Sequence, residues 1–591
     1  MIGSIYSAQA QFGQGHPSRI RWGVDSVTHA DAVFSGKKFF ELVQAQAELV
    51  HGRAPEFWGR YIGSLTESFN LKPAEVEYLA SQKCRILLIY NGHTGKSVAT
   101  YPDGQLAATT ARDRARELGV PEDRTVWIYC DIEDSQRPTA AFFSGWFETL
   151  RDFSGYGGGV YAIPIDTFRT EYCVAYVAEI PPRLFYGSQP WIGCDMHYRK
   201  FKPDRPCTPP APTVIYQYQI RCDVQGAPPG PEGNQVDLDL ANRDGFARMW
   251  EPPATKVVFW KFNPTTGKTQ LLYSAVGVSW TGVDFGTAAG GTTNHLGQQV
   301  VVLGSKLLAM GDSPLAAYET EDLVTFTKRY AVDLAGDYDG RLTLRAGVTP
   351  WVAWAPNTPN VSPKIWEDNG LGFTQRFLAG AADPYLYHIA EGFGTMWATF
   401  TTILRKWTGG TIWADIYISG NTFDFMVWWS KQNRLMLARR LGSNDAVGEI
   451  LAFDGAITPP PAVLSSITDR VGYMTVIGDD LYVMAIVTTN GVTGATWKIY
   501  RCTDLNTAIL IGQGTLTDTV RPTLALVWNP EASAFYAAIG SVSVQKIYKA
   551  VSPASGGNPV PTSQLAFVEV YSAADSAANH IRDGVSFGTL V

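Results

Sequence analysis

The chain has 591 residues, 45% of them hydrophobic and 17% charged, with 57 Gly and 35 Pro. That length exceeds what one core fills, and the composition describes a multidomain, loop-rich folded protein, not a disordered or coiled one. A net charge of −7 argues against nucleic-acid binding.

In chain order, Met1-Ile-Gly-Ser-Ile-Tyr-Ser has neither the basic nor the apolar segment of a signal peptide. The polar run from Ser4 to Ser18 reads as a frayed terminus or an arm that docks to other subunits, so residues 1–20 are set apart. No apolar run is long enough to cross a bilayer, and no membrane insertion is expected.

Residues 21–250 alternate strands and helices. Strands are expected at Arg21–Asp25, Phe57–Ile62, Arg85–Tyr90, Thr125–Asp131, Gly159–Ile163, Arg183–Gly187, Val214–Tyr218 and Val236–Leu240. Helical spacing lies between the early ones, over Lys37–His51, Lys72–Leu79, Gln105–Leu118 and Ala140–Phe153, with Gly119 and Gly155 as stop signals. Apolar strands joined by helices predict a parallel sheet, and eight of them predict a closed (β/α)8 TIM barrel. A doubly wound sheet is the rival. No G-x-G-x-x-G follows the first strand, so dinucleotide binding has no support.

In a barrel, chemistry belongs at the C-terminal strand ends. Asp25, Asn91, Asp131, Glu133, Gln217 and Gln219 stand at such ends, Tyr161 lies on the fifth strand, and Asp237 and Asp239 lie on the eighth. Asp131 and Glu133 close an apolar run two residues apart, so alternation turns both to one wall of a cleft. Paired carboxylates, one protonated and one charged, are the minimum kit for cleaving a glycosidic bond. The bland reading is a solvated strand end.

Six of the seven cysteines precede residue 223, and no C-x-x-C or H-E-x-x-H occurs, so neither a metal site nor a cofactor is expected. Cys84 and Cys130 read as buried thiols; Cys194, Cys207 and Cys222 leave one bridge open.

Gly23-Val-Asp-Ser, Phe57-Trp-Gly-Arg-Tyr-Ile-Gly63, Leu71-Lys-Pro-Ala-Glu-Val, Ile86-Leu-Leu-Ile-Tyr90, Ala115-Arg-Glu-Leu-Gly-Val-Pro121, Ile128-Tyr-Cys-Asp-Ile-Glu133, Gly159-Val-Tyr161 and Tyr216-Gln-Tyr-Gln219 through Val236-Asp-Leu-Asp239 come in one family's order. The stretch from about residue 20 to 245 resembles the glycoside-hydrolase-like TIM-barrel domains of actinobacterial cell-wall proteins and their phages, relatives of Chalaropsis-type lysozymes. The resemblance implies a muramidase-like barrel acting on peptidoglycan. It implies Glu133 as general acid and Asp131 as partner to the acetamido group or the charged intermediate. Asp25 and Asp237 would position the sugar, with Asn91, Tyr161, Gln217 and Asp239 as further ligand contacts. Asp134, beside the pair, departs from a clean dyad.

After Pro252 helical spacing ends and short β-rich runs follow, so residues 251–591 read as an all-β unit. Tyr318–Thr327, Ile365–Thr374 and Tyr500–Asn506 each show strand, acidic turn and strand, and resemble degenerate Asp-box hairpins of sialidase-like propellers. Turn centres near Pro264, Asp322, Asp368, Gly409, Asn444, Asp504 and Ala554 predict about seven blades, with a β-sandwich array as the alternative. Phe285-Gly-Thr and Phe587-Gly-Thr recur near the two ends, which predicts that the last strand closes the ring. Trp428 and Trp429 read as blade-core aromatics.

The leading expectation is a phage tail-associated protein in the virion, outside the host cell. Its barrel would cut or bind cell-wall glycan, and its propeller would bind a receptor or other tail proteins. The alternatives are a non-catalytic adhesin or structural tail protein, and a secreted bacterial wall hydrolase. Homo-oligomerisation stays open.

Overall fold

The structure, a computed structural model, describes residues 21–162, 184–188, 213–284 and 301–587 apart from short loops, one of them 133–135. Two compact units divide the chain, Met1–Ala254 and Thr255–Val591. The expected arm, Glu133, Asp134, Cys194 and Cys207 lie outside the described residues.

The first unit is a curled, closed sheet of eight strands: β1 (Arg21–Asp25), β2 (Phe57–Tyr61), β3 (Arg85–Tyr90), β4 (Trp127–Ile132), β5 (Gly157–Ala162), β6 (Leu184–Ser188), β7 (Thr213–Asp223) and β8 (Gln235–Ala241). All eight strands stand near their expected positions, but the direction of the last corrects the TIM-barrel expectation. Each adjacent pair from β1–β2 to β6–β7 is parallel, whereas β8 is antiparallel to both β7 and β1. The sheet is therefore mixed, not the all-parallel sheet of a (β/α)8 barrel. The physical reason is the short link of β7 to β8. A parallel return needs a crossover of a dozen or more residues, usually helical, and only residues 224–234 separate these strands.

The described helices are α1 (Phe39–His51), α2 (Pro73–Ser81), α3 (Tyr101–Glu117), α4 (Ala140–Phe153) and the short α5 (Arg243–Ala247). α3 begins four residues before its expected start. Thr100 caps it, accepting from the Asp103 amide at 3.3 Å, while the Asp103 carboxylate accepts from the Thr100 amide at 2.9 Å. Gly119 and Gly155 follow α3 and α4 with φ of +81° and +73°, conformations open to glycine.

Alternation sorts the side chains of the strands. Phe57, Leu87, Ile89, Trp127, Tyr129, Ile215 and Ala241 fill one core cluster, against which Tyr61 and Tyr161 pack. Others meet the helices, with Phe40 on Trp58 at 5.4 Å and Tyr90 stacked on Trp146 at 5.8 Å. The Gly157-Gly-Gly159 opening of β5 makes room for aromatics of β4. A Cβ at Gly157 would lie 2.3 Å from Trp127 Nε1, and one at Gly159 would lie 2.4 Å from the Tyr129 ring.

The second unit is a seven-bladed β-propeller of four-stranded antiparallel sheets. Strand Ile581–Phe587 pairs with Lys256–Asn263, so the last described strand completes the first blade, as the repeated Phe-Gly-Thr suggests. The three Asp-box-like segments are hairpins between third and fourth strands of the second, third and sixth blades. Asp322 Oδ1 accepts from Thr325 N at 2.7 Å, and Asp504 Oδ1 accepts from Asn506 N at 2.8 Å and Thr507 N at 2.9 Å. These carboxylates close turns. Trp429 is fully buried and donates Nε1–H to Asp479 O at 2.8 Å, and Trp428 packs on Phe393 at 4.5 Å.

Candidate functional site

The barrel mouth lies at the carboxyl ends of the parallel strands. β1 ends on Asp25, β2 on Tyr61, and β4 carries Asp131 in its last turn of alternation. Asp237 reaches the same mouth for the opposite reason: β8 runs backwards, so a residue near its start lies opposite the end of β1. The register pairs Asp25 directly with Asp237, and Asp239 with both Gly23 and Gln217.

Gln217 is the hub. Its Nε2 donates to Asp237 Oδ2 at 2.6 Å and to Asp25 Oδ2 at 3.2 Å, while its Oε1 accepts from the Tyr161 hydroxyl at 3.3 Å. The Arg221 amide donates to Asp237 Oδ1 at 2.5 Å. Asp25 and Gln217 are almost wholly buried, and Asp237 keeps some surface open. Burial first, then the neighbouring Asp25 charge, holds the Asp237 carboxyl well above the usual carboxylate range. Burial and the charges of Asp25, Asp131 and Asp237 push the Tyr61 phenol up, and burial with the same three carboxylates pushes Tyr161 up.

The structure thus brings together Asp25, Tyr161, Gln217 and Asp237, with Asp131 close enough for its charge to act on both tyrosines. Asp239 is fully buried on the same strand as Asp237, one alternation further along. Asn91 is buried just beyond β3, its Oδ1 2.2 Å from where a Gly63 Cβ would stand. Tyr61 escaped sequence reasoning, although the alternation Phe57, Gly59, Tyr61 aims it inward at a strand end.

Behind β2 a second polar group was also missed. Arg60 Nε meets Glu75 Oε1 at 2.8 Å with both side chains fully buried, and Arg60 also donates to Phe69 O at 2.7 Å and to Ser26 O. Glu75 accepts from Ala30 N at 2.7 Å and contacts His29 Nδ1 at 2.6 Å, and His29 Nε2 faces Ser68 O at 2.6 Å. Both closest partners of the ring are acceptors, so the imidazolium fits, and the hydrogen bond to Glu75 holds its pKa above the usual histidine value. Ligand atoms of His29, Asp31 and Glu75 lie within 4.8 Å of one another. With Arg60 against Glu75 and both ring nitrogens bonded, the group is an ion network tying the β1 and β2 loops to α2.

Cys84, Cys130, Cys222 and Cys502 are buried, and the other two cysteines of the bridge left open in sequence, Cys194 and Cys207, lie outside the described residues. No described helix is long and apolar enough to cross a membrane.

Residues 53–180 match the family model described as Rv2525c-like, glycoside hydrolase-like domain. That span holds Asn91, Asp131, Glu133 and Tyr161 but not Asp25, Gln217, Asp237 or Asp239. No curated protein matches the chain. Among solved structures, an uncharacterized B. stearothermophilus protein is 27% identical, covering 39% of this chain and 100% of its own, at a TM-score of 0.30. The Myceliophteria thermophila Cps50 (Swd1) β-propeller domain is 8% identical, covering 44% of this chain and 86% of its own, at a TM-score of 0.30. The Pyrococcus horikoshii acylaminoacyl peptidase is 9% identical, covering 52% and 50%, at a TM-score of 0.34.

Proposed function

We propose that this chain engages cell-wall glycan through the barrel mouth, hydrolysing or holding it there, and binds a receptor or assembly partner through its propeller. The observation that carries this reading is the mouth: Asp25, Asp131 and Asp237 grouped around Tyr61 and Tyr161, in a unit matched by a glycoside hydrolase-like family model. The barrel is read as a (β/α)8 relative with one strand reversed. Glycosidic cleavage needs an acid and a charged partner on either side of the bond. Glu133 is assigned the acid and Asp131 the partner, while the tyrosine faces suit sugar rings. Peptidoglycan is the glycan proposed. The setting proposed is a phage tail at the host surface, with other tail proteins as neighbours. A binding-only mouth is the second reading, favoured because the Gln217 carboxamide occupies Asp25, Asp237 and Tyr161 at once.

The test is release of reducing sugar from purified actinobacterial peptidoglycan by the full chain, compared with Glu133→Gln and Asp131→Asn. Loss of a general acid is expected to lower the rate about 10²- to 10⁴-fold. Wall binding without release by wild type would select the binding-only reading. Neither binding nor release would sink the glycan reading.

A further inference from the structure

We propose that Asp25 and Asp237 share a single proton in the folded protein at neutral pH, and that Gln217 is the positioning residue that bridges them. The argument begins with register. Asp25 and Asp237 are direct partners across the antiparallel β1–β8 pair. Directly opposed residues on one face of such a pair bring their Cβ atoms to roughly 4.5–5.5 Å. Both side chains turn to the Gln217 amide, which donates one N–H to each carboxyl, at 3.2 Å and 2.6 Å. The further donor to Asp237 is the Arg221 backbone amide. Among the described residues, the hydrogen-bond donors to Asp237 are therefore neutral groups. Two carboxylates at this spacing, in a place that excludes water from Asp25, cannot both stay ionised.

The surroundings favour the same state. Tyr61 from β2 and Tyr161 from β5 face the pair as neutral phenols, and the Cys222 thiol from β7 is pushed up by burial and by Asp237 itself. Asp131 from β4 and Asp239 from β8 add negative charge or none. The Arg221 charge opposes protonation, but it counts for less than burial and Asp25. Arg60, on the far side of β2, is matched by Glu75. The pair so held counts as one negative charge, and Gln217 has no N–H left for a ligand. A ligand entering the mouth then meets Asp131 and the tyrosine faces, and Gln217 moves from ligand contact to positioning residue.

The test is infrared spectroscopy of the full chain with its Asp carboxyl carbons labelled with ¹³C, which marks the C=O stretch of a protonated Asp. Wild type is expected to keep such a band at neutral pH. Asp25→Asn and Asp237→Asn should each lower the pH at which the band titrates, because the carboxyl that is left loses its directly opposed partner and keeps a Gln217 N–H. Gln217→Leu should move its frequency and the midpoint at which it titrates. No band in wild type, or a band that titrates as in wild type in both Asp→Asn variants, overturns the shared proton. A Gln217→Leu spectrum and midpoint like wild type overturns the bridging role. Should Asp237→Asn fail to fold, Asp25→Asn carries the same test. No substrate enters the measurement, so its failure is distinct from failure of the glycan reading.

Discussion

Asp237 gives the barrel a pH dependence whose direction follows from its place beside Asp25. Its folded pKa is raised, by burial and then by Asp25, so its contribution to stability is fullest below the unfolded value of about 3.9 and is lost as pH rises through the folded value. Asp237→Asn removes the titration while keeping an acceptor for the Arg221 amide. Relative to wild type it should be neutral near pH 3 and gain about 1–3 kcal/mol at alkaline pH. Hydrogen exchange of the barrel strands across pH would read this, and equal protection at every pH would refute it. Glu75 behaves oppositely. It is a fully buried carboxylate whose charge is matched by Arg60 and His29. Glu75→Gln leaves the Arg60 guanidinium buried without its counter-charge and should cost about 3–5 kcal/mol. Chemical denaturation of the barrel within about 1 kcal/mol of wild type would show the pair to be dispensable. Asp25, Asp131, Tyr161, Gln217 and Asp237 were legible in sequence because polar residues at the ends of apolar strands stand out. That Gln217 bridges two carboxyls was not legible, since its contact with Asp25 joins residues 192 positions apart. Arg60 and Glu75 lie 15 positions apart in different elements, and only the fold buries them together.

Strands and helices followed from periodicity, whereas strand direction did not. The alternation in Val236-Asp-Leu-Asp-Leu240 reads the same in either direction, and only the length of the preceding link separates a hairpin from a crossover. The same link was the available signal for β8, because residues 224–234 contain no helical pattern. The start of α3 was missed because Thr100 and Asp103 form a capping box with Asp in place of the usual Glu or Gln. In the propeller the turn chemistry was legible because acidic turns recur at matching places. Asp322 joins the strands of its hairpin through Thr320 and the Thr325 amide. Asp322→Ala should therefore cost about 1 kcal/mol of propeller stability, and Asp322→Asn, which keeps an acceptor, less. Thermal unfolding distinguishes them: an equal loss in the two variants would mean that charge, not turn closure, is what Asp322 supplies.

At the scale of the whole molecule, a propeller must solve the problem of its own ends. A blade that lacks one strand exposes unpaired backbone along its neighbour. Here Ile581–Phe587 supplies the missing strand to the blade built from Lys256–Asn263, Lys268–Ser274 and Thr281–Asp284. The ring is thereby closed by strands some 300 residues apart in sequence, and its folding waits on the C-terminus. Ending the chain at residue 580 removes that strand and leaves Lys256–Asn263 paired on one side. The expected outcome is a propeller that unfolds at lower temperature and exchanges its first-blade amides rapidly. The barrel has its own closed sheet and core and should keep the protection of the full chain. Calorimetry with peptide-resolved hydrogen exchange reads both units in one sample. If the shortened chain kept full first-blade protection, the closing strand would be an accessory. If the barrel lost protection too, the two units would share a folding unit despite their separate cores.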